Sequence, residues 1–340
     1  QRHVPSDERG DLPMSAEKMF ELTNLKKYFP VKRFLGGKKQ YVKAVDGITM
    51  DIYKGETFGL VGESGCGKST LGRTMIRMYD VTDGTVTYKG TDITKATPKD
   101  MAQFQNKLQI IFQDPYSSLN PFWNVEEILN EPLKQIGMPA GERRDRIEYL
   151  LNKVGMKPDD MVKFPYEFSG GQRQRIGIAR ALTVNPEFIM CDEPIAALDC
   201  SIQAQVVNML EDLQHELGLT YLFVSHDLSM MRYISTRIGV MYLGNLVELT
   251  ESDTLYEHPI HPYTRALLSA RPVADPKRAR ANRRIKLVGE LPSPLKVPSG
   301  CPFSPRCPFA TEACSAERPK LRELSTGHFV ACHRAEEIGE

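Results

Sequence analysis

A glycine-rich octapeptide carries residue types that bind polyphosphates. Its sequence, Gly62-Glu63-Ser64-Gly65-Cys66-Gly67-Lys68-Ser69, fits the pattern G-x-x-x-x-G-K-[ST] and lies between an apolar run and a helix-compatible run. Glycines let consecutive backbone N–H groups turn toward phosphate oxygens, and a helix N-terminus adds a favourable partial charge. We expect Lys68 to reach the β- and γ-phosphates and the Ser69 hydroxyl to bind Mg²⁺. The residues predicted to bind a nucleotide are Gly62, Ser64, Gly65, Cys66, Gly67, Lys68, Ser69 and Thr70.

Two acidic residues follow a second apolar run, Phe188–Cys191. Asp192 is placed to hold Mg²⁺ through water, and Glu193 is placed to polarise an attacking water. An acidic pair at the end of a strand is weak evidence alone. Together with the phosphate loop, it favours a site for nucleotide hydrolysis.

Two further polar residues follow apolar runs. Gln113 comes after Leu108–Phe112, where its amide would reach the metal ion or the attacking water; the alternative is an ordinary loop amide. His226 comes after Tyr221–Ser225, where it would hydrogen-bond the γ-phosphate; the alternative is a structural histidine. Gln113 and His226 join Glu193 as the predicted catalytic residues, and Gln113 joins Ser69 and Asp192 as a predicted Mg²⁺ ligand.

The elements that must position these residues alternate between strands and helices. This order predicts an α/β core with a mainly parallel sheet, in which ligands bind beyond the carboxyl ends of the strands. The predicted buried strands are Thr57–Val61, Leu108–Phe112, Phe188–Cys191 and Tyr221–Ser225. Apolar residues at helical spacing predict a helical insert over roughly residues 116–185, with helices at Glu126–Leu129, Arg143–Val154 and Arg173–Leu182.

Length, composition and charge limit the domain organisation of the chain and the classes of partner that it is expected to bind. A chain of 340 residues suits two domains, or one domain with an appendage. We predict an N-terminal tail over residues 1–19, a core over 20–250, and a loop-rich appendage, rich in proline, arginine and cysteine, over 251–340. The net charge of +1 gives no reason to expect nucleic acid as a partner. There is no apolar run of about 18 residues and no signal peptide, so we expect a membrane role only through partners.

The hexapeptide Phe168-Ser169-Gly170-Gly171-Gln172-Arg173 resembles the signature of ABC-transporter ATPases. By itself it predicts a helix that is capped by Ser169 and can bind an anion at its N-terminus. The resemblance covers roughly residues 20–250 and implies ATP hydrolysis by two such domains paired head to tail. Residues Ser169, Gly170, Gly171 and Gln172 would then contact the nucleotide of the partner subunit. Ala196 departs from the family pattern, in which serine is usual before the dimer-contact loop Ala197-Leu198-Asp199.

Three further segments resemble the ATPases of dipeptide/oligopeptide importers, most closely the second, F-type subunit. They are Ile111 to Pro121, Asp199 to Val206, and His261-Pro262-Tyr263-Thr264-Arg265-Ala266-Leu267-Leu268. This resemblance implies a location at the cytoplasmic face of the membrane, two permease partners, a second, related ATPase subunit and an extracytoplasmic peptide-binding protein. The alternatives are an ATPase of a nickel or oligosaccharide importer, and a soluble ABC ATPase or redox-responsive regulator.

Two contacts are implied by the same resemblance. The family stacks adenine on an aromatic residue a little over twenty positions before the phosphate loop. This position favours Phe29, and Tyr28 and Tyr41 are the alternative stacking residues. Each of these rings could instead simply pack on the sheet without a functional role.

The family also docks a permease helix on the segment after Gln113. Residues Tyr116, Leu119, Phe122 and Trp123 suit such a groove, although burial in the helical insert explains them equally well.

The seven cysteines fall into two groups. Three lie within the nucleotide motifs and are expected to be reduced, partly buried side chains: Cys66, Cys191 and Cys200. Four lie close together near the C-terminus: Cys301, Cys307, Cys314 and Cys332. Their spacing lacks a C-x2-C pair, and two of them precede proline as in ferredoxin-type sites, which favours a [4Fe-4S] cluster. Zn²⁺, free thiols and disulfides are the alternatives.

Overall fold

The computed structural model describes residues 17–31, 39–270 and 285–339. The described residues fall into two compact units, the first within the bounds 1–52, 57–95 and 225–340, and the second within the bounds 53–56 and 96–224. The tail predicted over 1–19 lies largely outside the described residues. The boundaries predicted near residues 20, 116, 185 and 250 remain predictions.

The first unit contains two sheets. One has the strand order β2-β1-β4-β5, and the other has the order β11-β12-β10-β9-β3. In the second sheet, β3 and β9 pair in parallel, and the other neighbouring strands of that sheet pair antiparallel. The strands are β1 (Lys18–Val31), β2 (Gln40–Tyr53), β3 (Thr57–Val61), β4 (Asp83–Tyr88), β5 (Thr91–Asp92), β9 (Arg237–Tyr242), β10 (Asn245–Glu251), β11 (Arg322–Ser325) and β12 (His328–Val330).

The second unit is built on three parallel strands in the order β6-β7-β8. They are β6 (Leu108–Ile111), β7 (Phe188–Asp192) and β8 (Thr220–Val224). Every residue of β7 and β8 is buried, as expected for parallel strands covered on both faces. The helices are α2 (Pro98–Gln105), α3 (Val125–Gln135), α4 (Ala140–Lys153), α5 (Gly170–Leu182) and α6 (Cys200–Leu217).

Local sequence explains where several helices begin. Helices α2, α3 and α5 each start with a capping box, in which the N-cap side chain accepts an N–H bond from the third helical residue and that residue's side chain accepts one from the N-cap. The pairs are Thr97 with Asp100, Asn124 with Glu127, and Ser169 with Gln172. The remaining helices belong to the first unit and are α1 (Lys68–Met75), α7 (Leu228–Ile234), α8 (Ser252–Glu257), α9 (Pro262–Ser269), α10 (Glu312–Ala316) and α11 (Ala335–Gly339).

The α/β class is confirmed, and the four predicted strands appear within one residue of their predicted bounds. The three predicted helices correspond to parts of α3, α4 and α5. The region after residue 250 is loop-rich as expected, but β12 extends the sheet of the phosphate loop by pairing with β10. Among the described residues, no helix combines the length and apolar character needed to cross a membrane.

A buried carboxylate joins this C-terminal strand to the rest of the unit. Glu248 on β10 is fully buried and accepts N–H bonds from Ile260 at 2.8 Å and from His261 at 3.0 Å. Its Oε1 also lies 2.8 Å from Nε2 of His328 on β12. His261 caps α9 by accepting the Tyr263 N–H at its Nδ1, 3.1 Å away. Glu248 therefore connects three separate chain segments through hydrogen bonds inside the core.

Burial lowers the pKa of His261 to about 4, although the charge of Glu248 acts in the opposite direction. In the unfolded chain the pKa of His261 is near 6.5. Between about pH 4 and pH 6.5, His261 therefore binds a proton in the unfolded chain that it does not bind in the folded chain. We expect the free energy of unfolding to fall as the pH is lowered from about 6.5 to about 4, by on the order of 3 kcal/mol from this group. Urea unfolding measured across this pH range tests the expected fall in the free energy of unfolding.

His261→Asn supplies the control, because an asparagine oxygen can accept the Tyr263 N–H without titrating. The variant should lose much of the pH dependence between about 6.5 and 4. An unchanged slope in a folded His261→Asn protein would show that another group is responsible.

Candidate functional site

The phosphate loop joins β3 to α1 in the first unit. Gly67 is the N-cap of α1 and has a φ of 106°, in the left-handed region that favours glycine. A Cβ at this position would lie 1.9 Å from the carbonyl oxygen of Ala44 on β2. The loop backbone therefore passes directly against a neighbouring strand, with no room for a side chain.

Lys68 is buried and points back onto its own loop. Its Nζ donates to the carbonyl oxygens of Gly62 at 2.8 Å and Glu63 at 3.2 Å. Cys66 is also buried, with its Sγ 3.9 Å from this Nζ, and burial raises the pKa of its thiol. A charged ammonium group is thus held at the loop by oxygen atoms, an arrangement in which phosphate oxygens can replace the carbonyls.

Glu63 is anchored by two residues that lie far from the loop in the sequence. Its N–H donates to Tyr263 Oη at 2.8 Å. Its carboxylate accepts from both terminal nitrogens of Arg306, at 3.1 to 3.3 Å. Tyr263 and Arg306 lie 200 and 243 positions further along the chain, so no local sequence pattern indicates these contacts.

His226 also belongs to the first unit. It is exposed and directly precedes Asp227, whose carboxylate caps α7 by accepting the Ser229 N–H at 2.8 Å. The neighbouring Ser225 N–H donates to the Leu60 carbonyl at 3.2 Å. His226 is therefore held near the end of β3, where the phosphate loop begins.

The three candidate adenine-stacking residues lie in different environments. Phe29 on β1 is half-buried, with its ring edge-to-face on Tyr79 at 5.5 Å and Lys27 Nζ 5.0 Å from its centroid. The Tyr28 hydroxyl donates to Asp46, whereas the side chain of Tyr41 is exposed. The choice of Phe29 remains a prediction.

The second unit brings the acidic pair and the predicted glutamine together. Asp192 ends β7 and is buried, and Glu193 follows it with a φ of 46°. Gln113 Nε2 donates to Glu193 Oε2 at 3.0 Å. A left-handed backbone costs a residue with a Cβ about 1–2 kcal/mol and persists where the surrounding structure enforces it. Here the Glu193 N–H is tied to the Val224 carbonyl at 3.0 Å.

The signature segment forms the start of α5. Ser169 Oγ accepts the Gln172 N–H at 3.4 Å, and Gln172 Oε1 accepts the Ser169 N–H at 3.0 Å. Both side chains are exposed. A Cβ at Gly171 would lie 2.5 Å from the Ile202 side chain, so glycine here permits close packing of α5 on α6. The helix presents a capped and accessible N-terminus that can bind an anion.

An apolar surface follows Gln113 in the second unit. The side chains of Tyr116, Phe122 and Trp123 are exposed, Phe122 by 83%. The Arg173 guanidinium lies 4.0 Å from the centroid of the Tyr116 ring. Leu119 does not share this exposure: it is buried, which agrees with the alternative of burial in the helical insert.

The four C-terminal cysteines line one small cavity together with Phe303 and Phe309. Burial raises the pKa of the Cys301 thiol to about 11 and also raises the pKa values of Cys307 and Cys332. The cysteines of the chain are free thiols. Among the described residues, no group of three or more His, Cys, Asp or Glu side chains is arranged to hold a metal ion. The predicted [4Fe-4S] cluster and its Zn²⁺ alternative are therefore not confirmed.

The nucleotide-motif cysteines differ from one another. Cys66 and Cys191 are buried as expected, and burial also raises the pKa of Cys191. Cys200 is exposed at the start of α6, so the prediction that its side chain is partly buried is wrong.

Two family models match the sequence. The model described as ABC transporter matches residues 45–196, and the model described as oligopeptide/dipeptide transporter, C-terminal region, matches residues 247–314. The chain is 52% identical to the oligopeptide transport ATP-binding protein AppF of Bacillus subtilis, over 93% of this chain and 97% of AppF. The chain belongs to the oligopeptide/dipeptide branch of the ABC transporter family.

A second relative agrees with that placement. The chain is 50% identical to the oligopeptide transport ATP-binding protein OppF of Bacillus subtilis, over 94% of this chain and 98% of OppF. Its fold resembles the dimeric structure of the ATP-binding cassette MJ0796 bound to ADP and Pi, with a TM-score of 0.61 and 28% identity. That similarity covers 69% of this chain and 99% of the MJ0796 chain.

Proposed function

We propose that this chain is the ATP-hydrolysing subunit that powers import of di- and oligopeptides through partner membrane permeases. The observation that carries the proposal is the combination of a built phosphate loop with a Gln113–Glu193 pair at the end of a parallel strand, in a chain of the oligopeptide/dipeptide branch. The relatives that are 50% and 52% identical are both oligopeptide transport ATP-binding proteins, which supports peptides over nickel or oligosaccharides. Their names also favour transport over a soluble regulatory role.

The phosphate loop is proposed to bind the triphosphate. Lys68 would exchange its bonds with the Gly62 and Glu63 carbonyls for bonds with phosphate oxygens, because an ammonium group attracts phosphate more strongly than it attracts a neutral carbonyl. The other loop residues would contribute backbone N–H groups and the start of the α1 dipole. His226, near the end of β3, would hydrogen-bond the γ-phosphate.

Glu193 and Gln113 are proposed to prepare the attacking water. The hydrogen bond from the Gln113 amide orients the Glu193 carboxylate, which would then orient and polarise water. Ser69, Gln113 and Asp192 offer hydroxyl, amide and carboxylate oxygens, the donor types that Mg²⁺ takes. Mg²⁺ would neutralise phosphate charge when bound. That these three residues share one ion remains a prediction.

The signature helix is proposed to serve the nucleotide of a second, related ATPase subunit. The exposed N-terminus of α5 carries Ser169 and no bulky side chain at its first two positions, Gly170 and Gly171, so a phosphate can approach the N–H groups. The similarity to a cassette solved as a dimer supports pairing. Pairing with a paralogue rather than with a second copy is part of the proposal.

The membrane partners are proposed to dock on the apolar surface after Gln113. Exposed Tyr116, Phe122 and Trp123 offer aromatic area that a helix of the permease would bury. Two permeases would hold the ATPase at the cytoplasmic face of the membrane, and an extracytoplasmic binding protein would deliver the peptide.

The cysteine cavity is proposed to bind an iron–sulfur cluster as a structural staple without a role in hydrolysis. The convergence of four thiols around one cavity supports this, because thiolates are the ligands of such clusters. The lack of a ligand arrangement among the described side chains counts against it. Metal analysis of the purified protein decides whether the cavity holds a cluster.

Replacement of the water-orienting carboxylate should separate binding from hydrolysis. Glu193→Gln should keep ATP affinity and reduce turnover at least about 100-fold, the contribution typical of a general base. Lys68→Ala, which removes a phosphate contact, should instead weaken ATP binding. Both quantities are measured on the assembled complex. Near-normal turnover of Glu193→Gln would refute the assigned role.

Hydrolysis should depend on partners. Because Ser169 and Lys68 would act on different nucleotides, the isolated chain should hydrolyse ATP slowly, and co-expressed permeases with a related ATPase subunit should raise its activity. ATPase assays before and after assembly check this. A stable dimer of the chain alone, with activity unaffected by permeases, would contradict the importer function.

Anaerobically purified protein should contain about four iron atoms per chain if the cysteines hold a cubane cluster. Replacing Cys301, Cys307, Cys314 or Cys332 with serine should then remove the colour and the iron, whereas Cys200→Ser should change neither. Metal analysis by mass spectrometry distinguishes three outcomes. Stoichiometric zinc without iron would show that the cysteines hold a structural zinc ion and not a cluster. Protein that contains neither zinc nor iron would rule out both kinds of metal site.

A further inference from the structure

Glu63, the second residue of the phosphate loop, has each of its polar groups engaged. Its N–H donates to Tyr263 Oη, its carbonyl accepts from Lys68 Nζ, and its carboxylate accepts from Arg306. The carboxylate brings a negative charge into a loop that is proposed to bind a polyanion. Unless it is neutralised and held in place, such a charge would repel phosphate.

Arg306 supplies that neutralisation. Its side chain is 11% exposed, and its two terminal nitrogens contact both Glu63 oxygens. Nη1 also lies 3.4 Å from the Tyr242 hydroxyl, whereas the buried Nε has no hydrogen-bond partner among the described residues. A bidentate arginine–carboxylate pair of this kind fixes both position and orientation. The pair therefore restrains the Glu63 side chain.

The arginine is itself presented by a rigid turn. Ser304 to Arg306 form a short 3-10 helix, in which the Arg306 N–H donates to the Phe303 carbonyl at 3.0 Å. The Phe303 ring is fully buried and contacts the rings of Tyr242 and Tyr263, with centroids 5.3 and 5.5 Å apart. Phe303 thus packs the turn against Tyr263, the residue that accepts the Glu63 N–H. The turn and the loop form one packed assembly.

We propose that Arg306 is a positioning residue for the phosphate loop, which it keeps competent for ATP by neutralising and holding the Glu63 carboxylate. The inference rests on the proposed function, since it requires that the loop bind ATP. It predicts that the loop depends on a residue from the C-terminal segment, far from the nucleotide motifs in sequence. It also predicts that the need for Arg306 disappears when Glu63 carries no charge.

The test measures the affinity of the full chain for ATP with Mg²⁺ by isothermal titration calorimetry. Arg306→Gln should weaken ATP binding about tenfold, equivalent to about 1.4 kcal/mol. Glu63→Gln should change the affinity much less. The Glu63→Gln/Arg306→Gln double variant should recover most of the affinity lost in Arg306→Gln, because the unneutralised charge is gone. A purely structural role for Arg306 predicts no such rescue.

Arg322→Gln is the matched control. Arg322 is another C-terminal arginine that pairs both terminal nitrogens with one carboxylate, that of Glu336, and it makes no hydrogen bond to the phosphate loop in the described residues. It should bind ATP like the wild type. If wild type and Arg322→Gln fail to bind ATP, the proposed function fails and the inference fails with it.

Unchanged ATP affinity in folded Arg306→Gln would overturn the inference while leaving the proposed function intact. Loss of affinity without rescue in the double variant would overturn it as well. If Arg306→Gln does not fold, Arg306→Lys replaces it, because lysine keeps the charge but cannot span both Glu63 oxygens. A loss of about threefold that Glu63→Gln reverses would support the inference, and unchanged affinity would overturn it.

Discussion

The close approach of the phosphate loop to its neighbouring strand constrains the rest of the first unit. At Gly67 the loop backbone lies so near the Ala44 carbonyl that no side chain fits, and α1 begins at the next residue. The loop is also bonded to the turn between β9 and β10, since the Gly244 N–H donates to the Cys66 carbonyl at 2.8 Å. A loop held by close packing and by backbone hydrogen bonds loses little conformational entropy when a ligand binds.

The C-terminal third of the chain contributes directly to this restraint. Tyr263 and Arg306 hold Glu63, and β12 continues the sheet that contains β3. The fully buried Glu248 carboxylate holds this region together through hydrogen bonds with the His261 backbone N–H and the His328 ring. The segment that distinguishes this branch of ABC proteins by sequence is therefore also a physical support of the nucleotide loop.

The second unit combines rigid elements with accessible polar ends. Its parallel strands are buried, whereas Gln113 and the signature residues Ser169 and Gln172 are exposed. Glu193 occupies a left-handed backbone conformation directly after the last buried residue of β7. Polar side chains that follow buried strands or begin a helix are held in place, as a reaction that depends on positioning and charge stabilisation requires.

The sequence alone determined the features that depend on local chemistry: the phosphate loop, the four predicted strands, the acidic pair, the capped signature helix and the family. These follow from short patterns, in which neighbouring residues set the backbone and the donor types. Only the tertiary structure revealed that Arg306 contacts Glu63, that Leu119 is buried and Phe122 exposed, and that four cysteines line one cavity. Such contacts join residues up to 243 positions apart. Which distant side chains meet is decided by how the strands and turns pack, and no local pattern encodes that packing.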